Sequence, residues 1–135
     1  MANFEEDYLD VLQNIEFAIV SVYREQPGLL DYEVEKALEL LIRSYEAESQ
    51  QRSFSAAALP PVPQSIYERV RTMCDWRLGR AGPPNSVANA GGPLLGSLSL
   101  AEIVACLKRI RKSLQKWSKR EGRQGYVRFV SEFVK

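Results

Sequence analysis

The sequence predicts an all-α protein: a helical bundle of about five helices that opens with an antiparallel helix hairpin. Three observations carry that prediction. Apolar residues recur at three- and four-residue spacing in four long stretches and one short one, which is the period of one face of an α-helix. No stretch alternates at period two with enough β-branched residues to read as a strand. The helical stretches are separated by breaks rich in Pro and Gly, the residues that end helices.

The first helix is expected from Phe4 to about Arg24. Asn3 suits the N-cap and Glu6 stands three residues on, as a capping box requires. Glu5, Glu6 and Asp7 favour the positive end of the helix dipole. Phe4, Tyr8, Val11, Ile15, Ala18 and Val22 form a heptad-like seam that Leu12 and Ile19 widen. Phe17 and Val20 lie off the seam, so this helix is covered on more than one side: as the central core helix, or as a seam shared with a second copy of the chain.

Pro27-Gly28 stops it. The second helix begins with Asp31 as N-cap and continues to about Gln50, with Val34, Leu38, Leu41 and Tyr45 as its core stripe and Ala37 permitting close approach. The short connection predicts the antiparallel hairpin. Residues 53–64, SFSAAALPPVPQ, carry Pro60, Pro61 and Pro63, which forbid helix and favour a stiff extended linker. The third helix starts at Ser65, with Glu68 at capping-box spacing, turns Ile66, Val70, Met73 and Trp76 inward, and ends at Gly79. Residues 79–98 have no period and are dense in Gly, Pro and Asn, which predicts a long surface loop. Its glycines are not a phosphate loop, because no lysine precedes the hydroxyl residue and no strand leads into it.

The fourth helix organises the rest. Ser99 and Glu102 match a capping box. Behind them Leu100, Ile103, Val104, Leu107, Ile110, Leu114 and Trp117 fall on one stripe, until Glu121-Gly122 breaks the pattern. A short last helix follows, with Tyr126, Phe129, Val130 and Phe133 on one face.

A chain of 135 residues, 45% hydrophobic and 26% charged, is sized for a single globular domain spanning 1–135. Cys74 and Cys106 both lie within helical patterns, so reduced thiols rather than a disulfide framework are expected. The acidic start MANFEEDYLD lacks the basic region of a signal peptide. The longest apolar run, Phe17 to Tyr23, is interrupted by Ser21 and falls far short of the roughly 20 residues of a membrane span. A cytoplasmic location without a membrane span is expected.

The chain has no histidine, which removes the commonest general base and the commonest metal ligand. Two cysteines alone are half of a structural zinc site, and no calcium-loop pattern is present. Cys106 sits one turn from Arg109 but borders the apolar stripe, where a small buried hydrophobe explains it. No catalytic residue, metal site or cofactor is expected, and the chain reads as a non-enzyme.

The net charge of +1 hides a division. Residues 1–50 hold twelve acidic and three basic side chains, a net −9, which leaves +10 for residues 51–135. The bases concentrate from Lys108 to Arg128, where Glu121 is the lone acid. Lys108–Lys112, Lys112–Lys116 and Lys116–Arg120 are like-charge pairs four residues apart, together unfavourable by about 1 kcal/mol. An anion nearby would offset that. The near-equal counter-charge in the same chain favours the acidic face of the first two helices, in the same copy or in a second one. The predicted contact sets Lys108, Arg109, Lys112, Lys116, Lys119 and Arg120 against carboxylates such as Glu33, Glu35 and Glu39. The leading expectation is therefore a protein–protein interaction module, a homodimer or a binder of another protein. Nucleic acid on the same basic face is the second.

Residues 106–134, CLKRIRKSLQKWSKREGRQGYVRFVSEFV, and chiefly LKRIRKS, the tryptophan and GRQGY, resemble a stretch of a small uncharacterised helical protein family of cyanobacteria. The resemblance covers the C-terminal part of the chain. It implies a cytoplasmic, all-helical protein without an assigned activity, and it transfers no site residue.

Overall fold

A computed structural model describes residues 4–53, 63–80 and 98–121. Among the described residues the regular structure is α-helical throughout: α1 (Phe4–Glu25), α2 (Asp31–Ser49), α3 (Gln64–Arg77) and α4 (Leu100–Glu121). The short helix expected around 126–133, the Asn3 cap, the prolines at 60 and 61 and most of the 79–98 loop lie outside the described residues.

Each helix packs closely on two others. The most extensive contacts are α2 on α4 and α1 on α3, followed by α2 on α3 and α1 on α4. Around the core the order is therefore α1, α3, α2, α4, with α1 and α2 on one diagonal. Side-chain bonds fix the directions. Glu25 meets Arg69 at 2.8 Å and Gln26 Nε2 donates to Ser65 Oγ at 2.9 Å, so α1 and α3 are antiparallel. Tyr45 donates to Asp75 at 2.8 Å and Arg80 meets Glu48 at 2.8 Å, so α2 and α3 run parallel. The first two helices do run in opposite directions, but the expected hairpin is not a close pair. The five residues between them, 26–30, extend to about 17 Å, enough to cross a diagonal of about 14 Å between helices spaced about 10 Å apart.

One hydrophobic cluster joins all four helices. It contains Val11, Ile15, Ala18, Ile19, Val20 and Val22 of α1, Val34, Leu38, Leu41 and Tyr45 of α2, Ile66, Val70 and Met73 of α3, and Ile103, Leu107, Ile110 and Leu114 of α4. Val11, Ile15 and Val22 of the α1 seam are fully buried within the chain. The described part of that seam is thus occupied by the protein's own core.

Two caps differ from the sequence expectation. The N-cap of α2 is Leu30, and Glu33 Oε1 accepts its backbone N–H at 3.0 Å. Asp31 is instead the first helical residue; it is 4% exposed and accepts the Tyr23 hydroxyl. The N-cap of α3 is Pro63, φ −57°, and Ser65 serves as acceptor for Gln26 across the α1–α3 contact. Two helices, α3 and α2, end in Schellman motifs. After α3, Gly79 takes φ 80°, with Gly79 N–H donating to Trp76 O and Arg80 N–H to Asp75 O. After α2, Gln51 takes φ 55°, with Gln51 N–H donating to Glu48 O and Arg52 N–H to Ala47 O.

Candidate interaction surface

The surface is built on α4. Its start is the capping box read from the sequence: Glu102 N–H donates to Ser99 Oγ at 3.2 Å and Ser99 N–H donates to Glu102 Oε1 at 3.0 Å. This leaves Glu102 engaged at the helix end. The apolar stripe then turns inward, and Ile103, Val104, Cys106, Leu107, Ile110 and Leu114 are all buried. Burying that stripe forces the opposite side outward, because residues three and four apart share a face. Lys108, Arg109, Lys112, Gln115, Lys116 and Lys119 are exposed.

α2 lies alongside in the antiparallel sense. Lys108 Nζ stands 3.7 Å from Glu46 Oε2, and Gln115 Nε2 donates to Glu35 Oε1 at 2.9 Å. An acidic rim on α2 thus borders the basic ridge on α4. Glu35, Glu39 and Glu46 share one side of α2 by helical spacing.

The predicted contact residues divide into three groups. Lys108 reaches a carboxylate of its own chain, although its partner is Glu46 rather than Glu33, Glu35 or Glu39. Lys112, Lys116 and Lys119 are exposed, and among the described residues no carboxylate pairs with them. Lys116 lies over the neighbouring Trp117 ring at 5.7 Å. Arg109 is also exposed, and the Arg120 side chain is outside the description. The third group is the carboxylates. Glu33 caps α2, Glu35 holds Gln115, and Glu39 meets Lys36 at 3.4 Å and Arg43 at 3.5 Å along its own helix. Sequence reasoning missed Glu46. Its signal was present: it stands eleven residues after Glu35, three helical turns along the same face.

At the end of the seam nearest the α2 C-terminus an open groove of about 310 Å³ runs between the helices, lined by Glu46, Ser49, Gln50, Ala101, Val104, Ala105 and Lys108. Small side chains, Ser49, Ala101 and Ala105, and the Glu46–Lys108 pair both contribute to its lining.

The remaining reactive groups are held inside. Cys74 and Cys106 are free thiols, both buried. Burial raises both pKa values, that of Cys106 to about 11, with Glu102 adding to the rise. Thiols so placed stay protonated at neutral pH. Burial, reinforced by the hydrogen bond to Asp31, likewise raises the Tyr23 pKa. Among the described residues no three Cys, Asp or Glu side chains converge as a metal site. No helix there is long and apolar enough to cross a membrane. Comparison with family models, with curated proteins and with solved structures finds no match to this chain.

Proposed function

We propose that the protein is a non-enzymatic helical interaction module that associates through complementary acidic and basic helix faces, with a second copy of itself as its first partner. The observation that carries the reading is the exposed ridge of Lys112, Lys116 and Lys119, which has no carboxylate against it among the described residues. Like charges four apart on one helix weaken that helix, so an anionic surface brought against the ridge gains attraction and relieves repulsion together. The burial of Val11, Ile15 and Val22 turns the reading away from an apolar seam on α1 and towards charge. The test is light scattering of the full chain from about 20 mM to about 0.5 M salt, a range over which the screening length falls from about 20 Å to about 4 Å. A dimer at low salt that dissociates as salt rises is the expected result. A monomer at every concentration and ionic strength overturns self-association.

A second reading, nucleic acid on the same ridge, is favoured by one observation. The exposed α4 side chains from Ala101 to Lys119 include no carboxylate, the composition that a phosphate backbone requires. Against it stands the acidic rim of Glu35, Glu39 and Glu46 beside the ridge, which repels phosphates. A mobility shift with mixed DNA and RNA at low salt separates the two: a shift with a steep salt slope promotes this reading, and none at micromolar protein removes it.

A further inference from the structure

We infer that the self-association proposed above, on which this inference rests, is a two-fold dimer whose axis runs along the seam between α2 and α4. The basic ridge of each α4 then lies on the acidic rim of the other copy's α2. The argument is one of symmetry. α2 and α4 share the most extensive contact of any two helices among the described residues and run antiparallel. They carry stripes of opposite sign side by side: Glu35, Glu39 and Glu46 on one, Lys112, Lys116 and Lys119 on the other.

An isologous contact must match a surface to a rotated copy of itself. A two-fold axis parallel to the helices and lying in the contact plane carries each α2 over onto the opposing α4, so acid meets base along the whole seam. An axis in that plane at right angles to the helices sets α2 on α2 and α4 on α4, acid on acid and base on base. Only the first arrangement gains from these charges. It also sets each α4 antiparallel to the opposing α2, the same relation as within one copy.

Three further observations fit. The rim carboxylates remain accessible while engaged: the Glu39 and Glu46 side chains keep 29% and 34% of their exposure. The ion pairs of Glu39 and Glu46 within the chain, at 3.4 to 3.7 Å, are long surface pairs of the kind that yields readily to a better partner. Ala101, Ala105 and Ser49 line the groove at one end of the seam, and small side chains allow a second backbone to come near.

The experiment is sedimentation equilibrium of the full chain at low salt, in four samples. They are the wild type, a ridge variant Lys112→Glu/Lys116→Glu, a rim variant Glu35→Lys/Glu39→Lys, and an equimolar mixture of the two variants. Circular dichroism establishes first that each variant is helical. The wild type is expected to dimerise, and each variant alone to dissociate with a Kd raised at least about tenfold, since each opposes like charges. The mixture is expected to recover the dimer, because every contact between the two variants is again of opposite sign.

A wild-type dimer with both variants still dimeric overturns the seam and leaves self-association standing. Folded variants that dissociate yet fail to pair when mixed also overturn the seam. A wild type that is monomeric throughout removes this inference together with the reading beneath it. Should the rim variant not fold, Glu35→Gln/Glu39→Gln takes its place. It is expected to weaken the dimer several-fold, and an unchanged Kd then overturns the seam.

Discussion

Asp31 is the residue whose role changed most between sequence and structure. By type and position it suits an N-cap, yet its carboxylate is buried and bound by the Tyr23 hydroxyl, while Glu33 performs the capping. Its second oxygen, Oδ2, is buried without a hydrogen-bond partner among the described residues. The Tyr23 hydroxyl is therefore the side-chain donor to this buried carboxylate, bound at its Oδ1. Tyr23→Phe is expected to destabilise the fold by about 1–3 kcal/mol, because it strands that carboxylate. Adding Asp31→Leu to it should cost much less than the sum of the two single changes, since both polar partners are then gone. Urea denaturation of the three variants measures this; strict additivity would contradict the buried pair. The cysteines make a simpler case. With both thiols buried and their pKa values raised, a thiol reagent at about pH 8 should label neither in the folded protein and both in denaturant. Fast labelling of Cys106 would contradict its placement. Free rather than bridged thiols were legible from the two positions within helical patterns. The Tyr23–Asp31 bond was not, because a tyrosine at the end of one helix pattern carries no sign of what its hydroxyl will meet.

At the scale of the helix, ends and faces have separate physical causes. The Ser99–Glu102 box was readable because both partners lie within one turn and need no tertiary contact. The end of α2 was expected at about Gln50 and falls there, with Gln50 as C-cap, but its left-handed turn was not readable, since Gln51 occupies the position that glycine ordinarily fills. A side chain there is unfavourable by about 1–2 kcal/mol relative to a right-handed conformation. Gln51→Gly is expected to recover about 1 kcal/mol, read as a higher urea midpoint with an unchanged slope. The α4 ridge carries a comparable penalty on its surface. Lys112→Glu converts the pairs with Lys108 and Lys116 from like to opposite sign. It should therefore stabilise the chain by roughly 0.5–1 kcal/mol, a rise in Tm of a few degrees for a domain of this size. Measured at a concentration where both proteins are monomeric, so that loss of the dimer does not enter, a fall in Tm would mean that Lys112 holds a favourable contact within its own chain. A substitution that strengthens the helix while weakening the dimer would separate what the ridge does for association from what it does for the fold.

For the molecule as a whole, stability rests on the cluster shared by the four helices. Leu38 and Leu107 are fully buried in it, and Leu107→Ala is expected to cost about 2–5 kcal/mol through lost burial and the cavity left behind. Denaturant unfolding measures it, and a loss below about 1 kcal/mol would argue against the placement of α4 in the core. The all-helical class and the residues that face inward were decided by the sequence alone. A 3.6-residue period forces apolar side chains to one side of each helix whatever surrounds it, and the same period pushed Lys112, Lys116 and Lys119 outward. Which helices become neighbours was decided only by the tertiary structure. A five-residue connection is long enough to join helices on an edge or across a diagonal, so loop length could not choose, and the fit of four apolar stripes around one core did. That choice set α2 beside α4, and it is why an acidic rim and a basic ridge, far apart in the chain, border each other on one face.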